Sequence, residues 1–248
     1  VRADNAAFVY KSNPVNQTMP TNPIPDVGWR LDLVSNQEIA GLVNIRRYST
    51  TPGKYVNGFV CIIAPMSSSL TPFFQPKGVV IIGASTSPEK LGYGAAHNLV
   101  YSGYNGAIHF VGQKPGTLFN HPLYTHLQHV PDPVDLAVLI VPAPATPAAL
   151  EACGQRGIRA AIVVASGFRE AGAEGTALEA QCLEVARKHG IRMVGPNCIG
   201  SLDTHLPLDT TFLPPPMPAR GQIGLISHSG AFCAAIIDWS WERGFGFS

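Results

Sequence analysis

From Gly78 onward, short apolar runs alternate with longer amphipathic segments. The runs at 79–83, 107–111, 136–141, 160–165 and 192–194 are dominated by Val, Ile, Leu and Ala. The inner runs are continuously apolar rather than alternating, the pattern of strands buried on both faces of a parallel sheet. Between them, 93–102, 144–156 and 175–189 read as helices. Strand and helix in strict alternation predict an α/β fold, a doubly wound parallel sheet. Prolines then crowd the chain, with Pro214, Pro215, Pro216 and Pro218 close together, and 202–221 reads as a stiff linker. Beyond it, 222–226 reads as a strand and 231–242 as a helix, the start of a second domain not completed by Ser248. Residues 1–65 show no periodicity and read as a poorly ordered extension. Because Met66 stands just ahead of the first recognisable strand, it is the expected natural start, the first domain is expected over 66–201, and the preceding residues are expected to be non-native.

The most informative junction is GVVIIGASTSPEKLGYGAAHNLV, where an apolar run passes through Gly83, Ala84 and Ser85 into a helix. A glycine there lets the backbone turn and approach a ligand, and the helix start presents free N–H groups and a positive dipole end to an anion. A nucleotide-like ligand is expected. The G-x-G-x-x-G fingerprint is absent, and the second strand leads into Gly112, Gln113 and Lys114 rather than an acidic residue for ribose hydroxyls. A lysine at that point suits a ribose phosphate, which both NADP and coenzyme A carry. The third strand ends at Pro142 and Ala143, an edge against which a ligand can lie.

Composition narrows the classes. The net charge of +1 supplies no basic field for nucleic acid. Five cysteines without C-x-x-C spacing argue against a disulfide framework or zinc site and for a reducing, cytoplasmic setting. No apolar run is long enough to span a membrane. The histidines lack metal-ligand spacing, and His121, His126 and His129 read as solvated residues on a loop. Ser227, His228, Ser229 and Gly230 lie between the last strand and helix, where Ser229 can cap the helix and an anion can sit. The hydrolase elbow G-x-S-x-G is not met there, because Ser227 and Ala231 stand where its glycines belong.

FFQPKGVVIIGAS, KLGY, VDLAVLIVPA, AAIVVASGFREAGAEG, IRMVGPNCIG and GQIGLISHSGAF, ending in ERGFGFS, together resemble the NDP-forming acyl-CoA (acetyl-CoA) synthetases and the α-subunit of succinyl-CoA synthetase. The resemblance runs from Phe73 to Ser248 and implies a Rossmann-like CoA-binding domain followed by the start of a flavodoxin-like ligase domain. It implies coenzyme A as ligand, an acyl-CoA made from an acid, CoA and a nucleoside triphosphate, and ligase and ATP-grasp domains or a subunit as partners. Gly83, Ala84 and Ser85 match the family's glycine-rich CoA loop, Lys114 its basic residue, Pro142 and Ala143 its strand-three edge. Pro196, Asn197 and Cys198, with Gly195, match the loop that touches the CoA arm; Asn197 is expected to bond a pantetheine amide and Cys198 to form an apolar wall. Ser227, His228, Ser229 and Gly230 match the family's phosphate loop, with histidine where glutamine is usual. The family's phosphorylated histidine corresponds to a position beyond Ser248, so this polypeptide is expected to be inactive alone. The same domain pair also occurs in acetyltransferase fusions as a ligand sensor, and an NADP oxidoreductase is a further alternative.

Overall fold

The computed structural model describes residues 69–248. The expected extension over 1–65, the Met66 start and Cys61 lie outside the described residues. The elements, in chain order, are α1 (Thr71–Phe74), β1 (Gly78–Ile82), α2 (Leu91–Tyr101), β2 (Ala107–Val111), β3 (Gly116–Leu118), β4 (His121–Tyr124), β5 (Leu136–Leu139), α3 (Thr146–Gln155), β6 (Ala160–Val163), α4 (Ala173–His189), β7 (Arg192–Val194), β8 (Leu202–Asp203), β9 (Leu208–Asp209), β10 (Arg220–Ile223) and α5 (Gly230–Arg243).

The main sheet has the order β3-β4-β2-β1-β5-β6-β7 and is parallel except where β3 runs against β4. Every residue of β1, β5 and β6 is buried, as their uninterrupted apolar runs require of central strands covered on both faces. Side chains alternate between two cores. Val79 and Ile81 point to one face, with Ala95 and Leu99 of α2 and with Phe110. Val80 and Ile82 point to the other, with Leu150 and Cys153 of α3 and Cys182 and Ala186 of α4. The fold is therefore α/β, Rossmann-like and doubly wound. Among the described residues no helix is long and apolar enough to cross a membrane.

Two stretches depart from expectation. The loop assigned to His121, His126 and His129 opens with β4, the second strand of the β3–β4 hairpin, and closes in a 3-10 turn over Leu127–His129, and the ring of His121, half-buried, meets Phe110 edge-on at 5.6 Å. His126 and His129 are exposed. The periodicity of β3 and β4 is invisible in so few residues. The stretch expected as a stiff linker contains the β8–β9 ribbon, and Leu208, Asp209, Thr210 and Thr211 are buried. Its prolines hide a packed segment held by the Asn98 side-chain amide, which donates to the Thr211 carbonyl at 3.0 Å and the Leu213 carbonyl at 2.8 Å.

Candidate functional site at the strand ends

In the order β2-β1-β5, the chain leaves β1 to one side for β2 and returns to its other side for β5. That reversal opens a crevice at the C-terminal ends of these strands, the place where open α/β sheets bind ligands. Gly83, Lys114, Pro142 and Asn197 all follow strand ends on this edge, after β1, β2, β5 and β7.

Gly83 has φ +102°, and a Cβ there would collide with the Ile140 carbonyl oxygen. No other residue type meets both conditions without strain. The N–H groups of Gly83 and Ala84 both donate to the Val111 carbonyl, at 2.9 and 3.0 Å. They belong to the sheet, so backbone donors for a ligand begin at Ser85, whose Oγ accepts from the Ser87 N–H at 3.1 Å. Behind this loop starts α2. Its N-cap, Lys90, makes no side-chain cap bond, which leaves the helix's positive end for an outside anion. Gly92 seats that helix end on the loop, since a Cβ at Gly92 would collide with the Gly83 carbonyl. On the other side Gly112 lies so close that its Cβ would stand 2.7 Å from the Ala84 oxygen. Lys114, two positions on, is exposed.

Pro142 is exposed and opens a short 3-10 turn over Ala143–Ala145, while Ala143 is buried. A Cβ on Gly167, at φ +104°, would meet the Ala143 Cβ at 3.2 Å, so the loops after β5 and β6 touch. Glu170 braces the second loop by accepting from the Gly167 N–H at 2.7 Å and the Phe168 N–H at 3.3 Å. Those donors hold its carboxyl below the usual range.

The loop after β7 is shaped by Gly195 at φ +94°, a cis bond to Pro196 and Asn197 at φ +53°. The Asn197 N–H donates to the Ala165 carbonyl at 2.9 Å, leaving its exposed side chain available to the crevice. The Cys198 thiol turns back to the Val163 carbonyl at 3.3 Å, and burial pushes its pKa up. A raised thiol pKa disfavours the thiolate nucleophile and suits an apolar wall.

One connection was not visible in the sequence. A Cβ on Gly230 would stand 2.7 Å from Ile199 Cγ2, so the start of α5 rests on the loop after β7. The loop of Ser227, His228 and Ser229 is exposed at this junction. The Ser227 Oγ accepts from the Ser229 N–H at 3.0 Å, and the Ser229 Oγ caps α5 by accepting from the Phe232 N–H at 3.2 Å. Only the nearness of two small-loop motifs in three dimensions reveals the pairing.

The family described as CoA binding domain matches residues 77–203, which carry every one of these strand-end loops except the serine loop. The chain belongs to that family. Coenzyme A is thus the ligand of the CoA binding domain seen here. The chain is 39% identical over 175 residues to acetate–CoA ligase [ADP-forming] I of Archaeoglobus fulgidus, a match covering 71% of this chain and 25% of that protein. It is 41% identical over 184 residues to the α-subunit of acetate–CoA ligase [ADP-forming] I of Pyrococcus furiosus, covering 73% and 40%. The solved structure of dinucleotide forming acetyl-coenzyme A synthetase 1 from Ca. Korarchaeum cryptofilum superimposes with a TM-score of 0.68 at 32% identity, covering 72% of this chain and 38% of that one. The chain thus spans well under half the length of each.

Proposed function

We propose that this chain provides the CoA-binding part of an NDP-forming acyl-CoA synthetase, which joins an acid to CoA at the expense of a nucleoside triphosphate and releases NDP and phosphate. The observation that carries the reading is the contact of Gly230 with Ile199, which brings the serine loop beside the CoA loop after β7. A CoA-binding domain that only stores its ligand has no need of a second anion site at that place. In this reading Ser85 and the first turn of α2 receive the CoA phosphates, Lys114 the ribose phosphate, and Pro142, Ala143, Pro196, Asn197 and Cys198 line the arm. Ser227, His228, Ser229 and Gly230 form the phosphate loop at the positive end of α5.

The partners are the remaining ligase and ATP-grasp portions, on the same or another chain. Ile223, Ile226, Phe232, Trp239 and Trp241 are each between 45% and 68% exposed on and around β10 and α5, an apolar surface that suits such a partner. The setting is the cytoplasm, in keeping with the free thiols of Cys153, Cys182, Cys198 and Cys233.

Calorimetry with CoA and with NADP, each titrated into the full chain, tests the ligand and hence the reading. CoA is expected to bind at micromolar concentration and NADP not to bind. The reverse would make the crevice that of an oxidoreductase.

A further inference from the structure

Phe119 is an unusual residue for its place. The β3–β4 connection has only Phe119 and Asn120 between Leu118 and His121, which pair across the hairpin. Both connecting residues lie at positive φ, +50° and +64°. Two-residue hairpins favour this conformation, and Asn, Asp or Gly normally supply it; a bulky side chain is strained there. The Phe119 ring explains why the strain is kept. It packs against three rings of α2: Tyr93 at 5.0 Å, His97 at 5.6 Å and Tyr101 at 5.6 Å between centroids.

β3 is a three-residue edge strand whose sheet partner is β4, so strand pairing alone holds it weakly. The aromatic cluster fastens the hairpin to α2, and α2 is itself seated on Gly83 through Gly92. At the other end, Gly112 is lodged against the Ala84 carbonyl. The segment carrying Lys114 is thus held between two attachments to one glycine loop. Lys114 itself is exposed and restrained through these neighbours.

We infer that Phe119 is a positioning residue for the CoA site, its ring fixing the β3–β4 hairpin on α2 so that Lys114 meets the ribose phosphate. The inference rests on the assignment of Lys114 to that phosphate, and the experiment separates the two. CoA and dephospho-CoA are titrated into the full chain and into Lys114→Ala, Phe119→Asn, Phe119→Tyr and the Lys114→Ala/Phe119→Asn double variant. Asparagine accepts positive φ, so Phe119→Asn removes the ring while keeping the turn.

Lys114→Ala is expected to weaken CoA about tenfold or more and dephospho-CoA little, since charge-assisted contacts have that strength. Phe119→Asn is expected to erase most of the same preference for CoA, Phe119→Tyr to restore it, and the double variant to lose no more than Lys114→Ala alone. Equal losses of both ligands in Lys114→Ala would overturn the lysine assignment and the positioning role with it. A preference lost in Lys114→Ala but intact in Phe119→Asn, or additive losses in the double variant, would overturn the positioning role alone. Thermal melts of each variant separate either result from unfolding.

Discussion

Asp209 shows how far a single buried carboxyl departs from its ordinary chemistry. It is 5% exposed, and its Oδ1 accepts from the Thr211 N–H at 2.8 Å. Burial outweighs the Thr211 bonds and pushes its pKa up to about 6. An unfolded aspartate titrates near ~3.9. Between roughly pH 4 and pH 6 the folded chain therefore holds a proton that the unfolded chain has released, and stability falls as pH rises through that window. Above it both states are ionised and the penalty stays constant, on the order of 3 kcal/mol. Asp209→Asn keeps an acceptor for the Thr211 N–H without the charge. It should flatten this part of the stability profile and raise stability at pH 7 by about 1–2 kcal/mol, read by urea unfolding at pH 4 to 8; an unchanged slope would place the titration elsewhere. Such a residue is illegible in sequence because its burial comes from the packing of the ribbon, and LDTTFLPPP reads as exposed linker. Gly83 and Pro142 were legible for the opposite reason: a glycine or proline at a strand end changes the backbone wherever the rest of the chain lies. Phe119 stands with Asp209, since nothing local to it announces a positive φ.

The central strands could be read from the sequence because burial on both faces leaves an unbroken apolar run, and β1, β5 and β6 begin within a residue of their expected starts. β3, β4, β8 and β9 could not, because strands of only two to four residues owe their form to their neighbours. The helices were legible in position, yet the feature that matters for the site is where α2 begins. Its start at Leu91 puts Gly92 against the Gly83 carbonyl and Gly94 in a looser place. A Cβ on Gly92 would collide with that carbonyl and stand 3.2 Å from the Ala84 Cα, whereas one on Gly94 would find its nearest neighbour, the Phe212 oxygen, at 3.6 Å. Alanine favours a helix interior over glycine by about 1 kcal/mol. Gly94→Ala should therefore gain up to that amount and disturb CoA binding less than a change at Gly92. Gly92→Ala should lose about 1–3 kcal/mol through overpacking and weaken CoA, because the helix end must retreat from the loop. Melts and calorimetry on the pair decide it, and equal behaviour of the two variants would show that α2 is not seated through Gly92.

Across the molecule, the sheet edge gathers the loops after β1, β2, β5, β6 and β7, and the β10–α5 unit adds the serine loop through Gly230 and Ile199. The β8–β9 ribbon ties this unit in: the Thr204 Oγ1 donates to the Phe247 carbonyl at 2.6 Å, and the His205 Nδ1 accepts from the Arg220 Nε at 3.1 Å. On the proposed function, a polypeptide arranged in this way should recognise CoA by itself, while the reaction is assigned to the ligase and ATP-grasp portions. His228 is the one residue that challenges this division of labour, because it is an exposed histidine beside a helix end suited to phosphate. Its neighbours already have their tasks, Ser227 bonding the Ser229 N–H and Ser229 capping α5. In the proposed reading His228 belongs to a receiving site for phosphate and is not its carrier. The 248-residue polypeptide, incubated with labelled ATP or with acyl-CoA, ADP and phosphate, should bind CoA, form no acyl-CoA and retain no acid-labile phosphate. Mapping the label after proteolysis decides between the roles: phosphate found on His228, or turnover by the isolated polypeptide, would make this loop a catalytic centre in its own right.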